Sequence, residues 1–262
     1  MKLCRFELAS APGQARTGIY HSGRIYETQG INPVAQHEFT DIVLLTPTGP
    51  APSYRLFQID RSLGEWEGGP SSPFFTYLNP ATVIAPTREF VKPLYTDRLS
   101  FMPQLAAVIA NPGRSIAAHE ADGYILGLCI ANTFVARDVL DEEMRHGAGT
   151  GRSHDVATAL GPVLTTPEEL DEAVVDEQEG RRYRFVVTVR VNGREIAQQD
   201  LSELPLTMAS LVSAASDSAP LLAGDIIGLG PLAQRDEPVF LESGDEVVVS
   251  IERLGMLATR VI

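Results

Sequence analysis

The sequence predicts an α+β, β-rich fold on three observations. Turn formers are abundant, with Gly 22 and Pro 18 among 262 residues, while aromatic residues make up only 7%. Three long apolar runs, PFFTYLNPATVIAP, LAAVIANP and YILGLCIANTFVARD, read as strands buried on both faces. Helical periodicity is confined to short stretches. The length suits one large domain with a small appended lobe, and the Pro/Gly-rich stretch Thr46–Ser53 divides the chain into a small N-terminal β lobe (1–50) and a main domain (51–262).

The elements follow in order. KLCRFEL alternates as a strand, and TGIYHSGRIYET reads as a hairpin turning at Ser22-Gly23. Asp41–Leu45 is a further strand. Residues 60–73, DRSLGEWEGGPSSP, lack periodicity and read as a surface loop or lid. Ser115–Gly123 reads as a short helix with Ser115 as its N-cap. Residues 140–157 are polar and Gly-rich, which predicts a second loop. Pro167–Gly180 carries seven acidic residues and reads as solvated helix or loop. Asn192-Gly193 between two alternating runs is the strongest short hairpin signal in the chain, and Leu206–Ala215 is an amphipathic helix.

Composition narrows the function. A net charge of −13 argues against a nucleic-acid partner, since phosphate binding needs clustered Lys and Arg. The same field slows anionic ligands instead of steering them. No apolar run reaches the length of a membrane span, and the N-terminus lacks the long apolar stretch of a signal peptide. Cys4 and Cys129 sit in strand-like apolar contexts and read as buried free thiols. A reducing cytoplasmic location is therefore expected, with no membrane partner. The chain shows no HxH, HExxH, GxSxG or Walker pattern.

Six phrases in register, YLNPATVIAP, QLAAVIANPGRSIAAHEADGYILGLCIANTFVARDV, GRSHDVATALGPVLTT, VRVNGREIAQQD, LLAGDIIGLGP and FLESGDEVVVSIERLGMLATRV, resemble the fumarylacetoacetate hydrolase family over about residues 50–262. The resemblance implies a mixed, rolled β-sheet, a homodimer, and chemistry on 2-oxo acids or β-dicarbonyls. It also implies a divalent cation on a Glu-x-Glu pair and an Asp, but those positions hold Met102, Gln104 and Thr133. Hard cations need charged oxygen ligands, so no metal and no other cofactor is expected. The family lysine becomes Arg152, a substrate-reaching polar residue becomes Leu140, and the Thr-Gly-Thr turn becomes Gly228–Gly230. The lid's catalytic His and Glu fall near Glu65 and Gly68.

The candidate catalytic residues are His154 as acid–base group, with Asp155 orienting it, Arg152 as an oxyanion holder, and Glu65 beside Trp66 in the lid. Candidate substrate contacts are Tyr77, Asn79, Gln104, Thr133, Ser153 and Gly230. The bland alternatives are an exposed loop around His154, a core Tyr77, a surface His119, and Arg137-Asp138 as a structural ion pair at the strand end. The expected function is a metal-independent enzyme acting on a β-dicarbonyl, enol or polyketide-like small molecule by tautomerisation, dehydration, cyclisation or C–C hydrolysis. The alternatives are a non-catalytic ligand-binding or partner-subunit relative, and a metal rebuilt from Glu65, Glu67 and Asp155.

Overall fold

The computed structural model describes residues 1–30, 32–58, 73–86, 88–233 and 237–262. The chain begins with β1 (Lys2–Leu8), β2 (Ala11–His21), β3 (Arg24–Gln29), β4 (Asn32–Glu38) and β5 (Ile42–Leu44). The β2–β3 turn takes Ser22 at φ 48° and Gly23 at φ 83°, the left-handed pair that closes a two-residue hairpin. Strands β6 (Tyr54–Gln58), β7 (Phe75–Leu78), β8 (Val83–Ile84) and β9 (Glu89–Phe90) follow. The long strands β10 (Leu99–Ile109) and β11 (Ile125–Ala136) flank the short helix α1 (Ala118–Ala121). Ser115 is not the cap of that helix. It lies at φ 49° in the preceding turn, and Ala117 is the N-cap, without a side-chain bond.

The stretch read as a second loop is largely helical. Helix α2 (Arg137–His146) continues directly from β11 and ends at Gly147, which is left-handed at φ 64°. Helix α3 (Gly151–His154) then leads into β12 (Ala157–Thr165). No residue of α2 is fully buried, and its short apolar face, with Val139 and Leu140 half-buried, packs on the core through Leu140. The acidic segment forms a 3₁₀ helix, Pro167–Ala173, before β13 (Val174–Asp176) and β14 (Arg182–Tyr183). The hairpin β15 (Val186–Val191) and β16 (Arg194–Asp200) turns at Asn192-Gly193, both at positive φ. Helix α4 (Met208–Ser218) starts at a capping box in which Thr207 and Ser210 bond reciprocally. The chain ends with β17 (Ile226–Gly230), β18 (Glu246–Ile251) and β19 (Gly255–Val261).

Among the described residues, twelve strands form one mixed sheet whose path runs β4-β3-β2-β1-β12-β11-β10-β17-β6-β7. β6 and β17 are parallel, and β10 and β11 are antiparallel along eleven paired positions. The N-terminal strands join the main body where β1 pairs with β12 at Lys2 and Leu3, and they keep their own core of Cys4, Phe6, Ile25, Ile42 and Leu44. A second sheet, β16-β15-β18-β19-β9, covers one face of the first.

Because strand side chains alternate, β10 and β11 divide their residues between two cores. Leu105, Ala107, Ile130 and Phe134 pack towards the second sheet and α4, while Met102, Ala106, Cys129, Ala131 and Val135 pack on the other side with Tyr54 and Leu56. Both cysteines are buried free thiols, their pKa values pushed up to about 12 by burial. No helix of the described residues is long and apolar enough to cross a membrane.

Phe134 is fully buried, its ring 4.4 Å from that of Phe90. Phe134→Ala is expected to lower stability by about 3–5 kcal/mol, read as a shift in the urea midpoint without a change of slope.

Candidate active site

The ends of four strands converge on one region. The C-terminal ends of parallel β6 and β17 lie beside the start of β10 and the end of β11, an arrangement set by their pairing registers. A cavity of about 380 Å³ opens there, lined by Gln58 and Pro231 from the ends of β6 and β17, Ser100 to Pro103 of β10, and Arg137 at the start of α2. That volume is in the range of small-molecule sites. Arg98 and Asp141 stand at its rim, bonded to one another at 2.9 Å.

Behind the cavity runs a closed polar chain. The Tyr54 hydroxyl donates to Gln104 Oε1 at 2.6 Å, Gln104 Nε2 donates to Thr133 Oγ1 at 2.7 Å, and Thr133 shares a 2.9 Å bond with Thr158 Oγ1. All four residues are buried, and burial pushes the Tyr54 hydroxyl well above its ordinary pKa. The chain crosses β6, β17, β10, β11 and β12, and over β17 it passes Gly228. A Cβ there would meet Gln104 Oε1 at 2.6 Å and the Tyr54 ring at 2.9 Å. Gly230 is equally constrained, with the Pro103 carbonyl 2.6 Å from where its Cβ would sit.

This chain occupies the positions where the resemblance places cation ligands. Met102 offers a thioether and packs in the apolar core, while Gln104 and Thr133 offer neutral oxygens already engaged with one another and with their neighbours. These residues do not fit a hard divalent cation. Among the described residues, no group of three or more His, Cys, Asp or Glu side chains is placed to hold a metal.

Arg137 is the cation facing the cavity. Its Nε is buried without a hydrogen-bond partner. Burial pulls its pKa below the usual arginine range, Asp141 opposes that pull, and Arg98 adds to it. The pairing with Asp138 expected at the strand end does not form. Asp138 instead accepts from the Thr96 hydroxyl at 2.5 Å and from the backbone N–H of Asp97 and Val139. Burial tends to raise its carboxyl, but these bonds outweigh it and hold the pKa low. Asp138 therefore fastens the start of α2, which leaves the neighbouring guanidinium to the cavity.

The GRSHD cluster is not arranged as the sequence suggested. His154 is buried, with Nδ1 3.0 Å from Ser153 Oγ and Nε2 without a partner. Burial first, then Arg137, lowers its pKa to about 4, so the ring is neutral near pH 7. Asp155 does not orient it. Asp155 lies on the surface and accepts from Asn79 Nδ2 at 2.8 Å, while Asn79 Oδ1 accepts from Ala81 N–H. Arg152 is exposed and stacks on Tyr95, 4.6 Å from the ring centroid. Glu143 accepts from the backbone N–H groups of Arg152 and Ser153, so its pKa is low although burial tends to raise it. Ser153 is buried, its hydroxyl donating to the Thr150 carbonyl.

The remaining candidates separate. Tyr77 lies on the opposite face of its strand from the Gln104 chain, edge-on to Phe75 and beneath the buried Arg55 guanidinium. Glu65, Glu67 and Gly68 lie outside the described residues. Gln104, Thr133 and Gly230 are brought together, but as the packed wall behind the cavity. His119 is exposed beside Glu120. Arg137 is the residue that sequence reasoning missed as a site group. The signals were its place at the end of an apolar strand, where a guanidinium must leave the core, and the survival of Arg137-Asp138 in a segment otherwise altered from the family frame.

A family model described as the C-terminal domain of fumarylacetoacetate (FAA) hydrolase matches residues 57–262. The chain belongs to the fumarylacetoacetate hydrolase family. Within the family, it is 26% identical over 199 residues to a mitochondrial protein of Homo sapiens named oxaloacetate tautomerase, covering 74% of this chain and 60% of that protein. It is 29% identical over 202 residues to an oxaloacetate tautomerase of Bacillus subtilis, covering 73% and 62% respectively. The chain thus spans about 60% of the length of these relatives. Among solved structures, a 5-carboxymethyl-2-hydroxymuconate delta-isomerase from Mycobacterium smegmatis superposes with TM-score 0.81 at 22% identity, covering 100% of this chain and 98% of that one. A fumarylacetoacetate hydrolase from Exiguobacterium antarcticum gives TM-score 0.81 at 23% identity, covering 100% and 99%. These similarities establish the β-rich family fold.

Two outcomes follow from the geometry. Thr133→Val keeps the volume but strands Gln104 Nε2 and weakens Thr158, so stability is expected to fall by about 1–3 kcal/mol in urea titrations. His154 has an ordinary pKa of 6.5 and a folded value of about 4. The unfolded chain therefore binds more protons between these limits, and stability falls as pH drops through that window, by about 3 kcal/mol in all. His154→Leu should remove that contribution, measured as a flatter dependence of the unfolding free energy on pH.

Proposed function

We propose that the chain is a metal-independent enzyme of its family that tautomerises a small 2-oxo acid or β-dicarbonyl compound. The observation that carries this reading is Arg137, a half-buried guanidinium lining the cavity whose buried Nε has no protein partner, set in front of a neutral wall in which Gln104, Thr133 and Thr158 bond to one another. A keto–enol interconversion moves one proton between carbon and oxygen and develops negative charge on that oxygen. A fixed cation in a partly dry site stabilises such charge without reorganising. Water need not be activated, so the reaction makes the least demand on a Lewis acid among the family's chemistries. The names of the relatives, which include tautomerases and an isomerase, support the same reaction class.

Arg137 holds the carboxylate or enolate oxygen in this scheme. Asp138 fixes its helix, and His154 is a positioning residue. Kept neutral, His154 leaves the guanidinium as the local cation. The proton carrier is assigned to Glu65, in the segment that follows the cavity-lining Gln58 in sequence. A second reading, a ligand-binding relative without turnover, is favoured by the full closure of the Gln104–Thr133 wall.

The test follows enol and keto forms of oxaloacetate and of acylpyruvates by ultraviolet absorbance in excess EDTA. The wild type should accelerate interconversion, Arg137→Ala should lower kcat/KM by about a hundredfold or more, and Glu65→Gln should lower kcat. Full activity of Arg137→Ala would overturn its role. Loss of activity in chelator with recovery on added magnesium would overturn metal independence. Ligand-dependent thermal stabilisation without interconversion would establish the binding reading.

A further inference from the structure

We infer that the ligand is a monocarboxylate with a hydrocarbon tail, and that the tail lies in the seam between the two sheets. This rests on the proposed role of Arg137 and names the substrate class of the same site. The cavity does not stop at the strand ends. Besides Arg137 and the polar Gln58 and Ser100, its lining includes Phe101 and Pro103 of β10, Val189 of β15, Leu232 and Val239. Val189 belongs to the second sheet, and Phe101 packs against the core that joins the two sheets. The space thus combines a cation at the start of α2 with apolar side chains contributed by the second sheet and by the segment after β17.

The charges at the rim support the same ligand class. Arg98 is held by Asp141 at 2.9 Å and lies 5.0 Å from the Phe240 ring centroid, so it is already engaged. Glu237, also at the rim, is negative. Among the described residues, a second carboxylate on the ligand would therefore face apolar side chains, the neutral Gln58 and Ser100, an engaged arginine and other carboxylates. Burying a charge without a partner is strongly disfavoured, and the net charge of −13 opposes a dianion at long range as well. A methylene chain meets no such penalty and removes apolar surface on both sides from water. At about 380 Å³ the cavity lies in the size range of small-molecule sites, which leaves room for a tail beyond the group held by Arg137.

Calorimetric titration of the full chain with straight-chain 2-oxo monocarboxylates, lengthened one methylene at a time, tests the inference without requiring turnover. Kd should fall by up to about fourfold per methylene until the seam is filled, and oxaloacetate should bind more weakly than a monocarboxylate of similar length. Val239→Ser, in a half-buried loop position, and Phe101→Ala should both lower affinity for the longer members and flatten the dependence on length. Affinity independent of length, or tighter binding of the dicarboxylate, would overturn the inference. The two readings fail separately. Length-dependent binding without interconversion would uphold the tail seam and remove the tautomerase reading. Interconversion of short oxo acids with no length effect would do the reverse.

Discussion

A single buried hydrogen-bond chain, Tyr54–Gln104–Thr133–Thr158, ties together the strands that make the site. It lies across the main sheet, perpendicular to the backbone ladder, and each member satisfies its neighbour out of reach of solvent. A polar group left alone there would cost more than an ordinary hydrogen bond contributes, so the members depend on one another. Gly228 follows from the same constraint, because the Tyr54–Gln104 bond passes over β17 with no room for a Cβ. The chain itself is closed and neutral, while Asn132, which pairs with Pro103 between β11 and β10, is buried with both side-chain polar atoms unpartnered. The charged side chains that line the cavity stand beyond this chain, near the strand ends.

At those ends the charges are distributed by local anchoring. Asp138 accepts from Thr96 and from the backbone of Asp97, which fixes the first turn of α2. Glu143 accepts from the first N–H groups of α3, which sets that helix against β11. Arg137 and His154 are thereby brought near one another, and burial of the ring together with the guanidinium keeps His154 neutral. A protein of net charge −13 thus presents a local cation to its cavity. An anion at this cavity would meet a short-range attraction set against the field of the whole molecule.

The strand pattern was legible because alternation and burial on both faces leave direct marks in the sequence. β10, β11 and the Asn192-Gly193 hairpin follow from residue order alone, and the six phrases shared with the fumarylacetoacetate hydrolase family place the same elements. Helix α2 was obscured because its few apolar residues, Val139, Leu140 and Met144, are too sparse to mark a helical stripe, and it follows a strand without a turn. Ser115 looked like an N-cap, yet its left-handed φ places it in a turn, and the helix begins with Ala117 as cap. His154 and Asp155 are adjacent in sequence, but one is buried while the other is bonded to Asn79 on the surface. Neighbouring residues at the end of a short helix point in different directions, and spacing alone cannot say which of them turns inward.

The sequence by itself determined the β-rich family fold and the replacement of three carboxylates by Met102, Gln104 and Thr133, since residue type decides whether a hard cation can be ligated. Tertiary structure alone decided what those replacements do. They close a hydrogen-bond chain because β6, β10, β11 and β12 bring distant residues within 3 Å of one another. It also decided that Arg137, not Arg152, faces the cavity. That depends on which neighbour claims each charge, Asp138 being held by Thr96 and Arg152 by Tyr95, and such partners are set by packing between elements far apart in the chain.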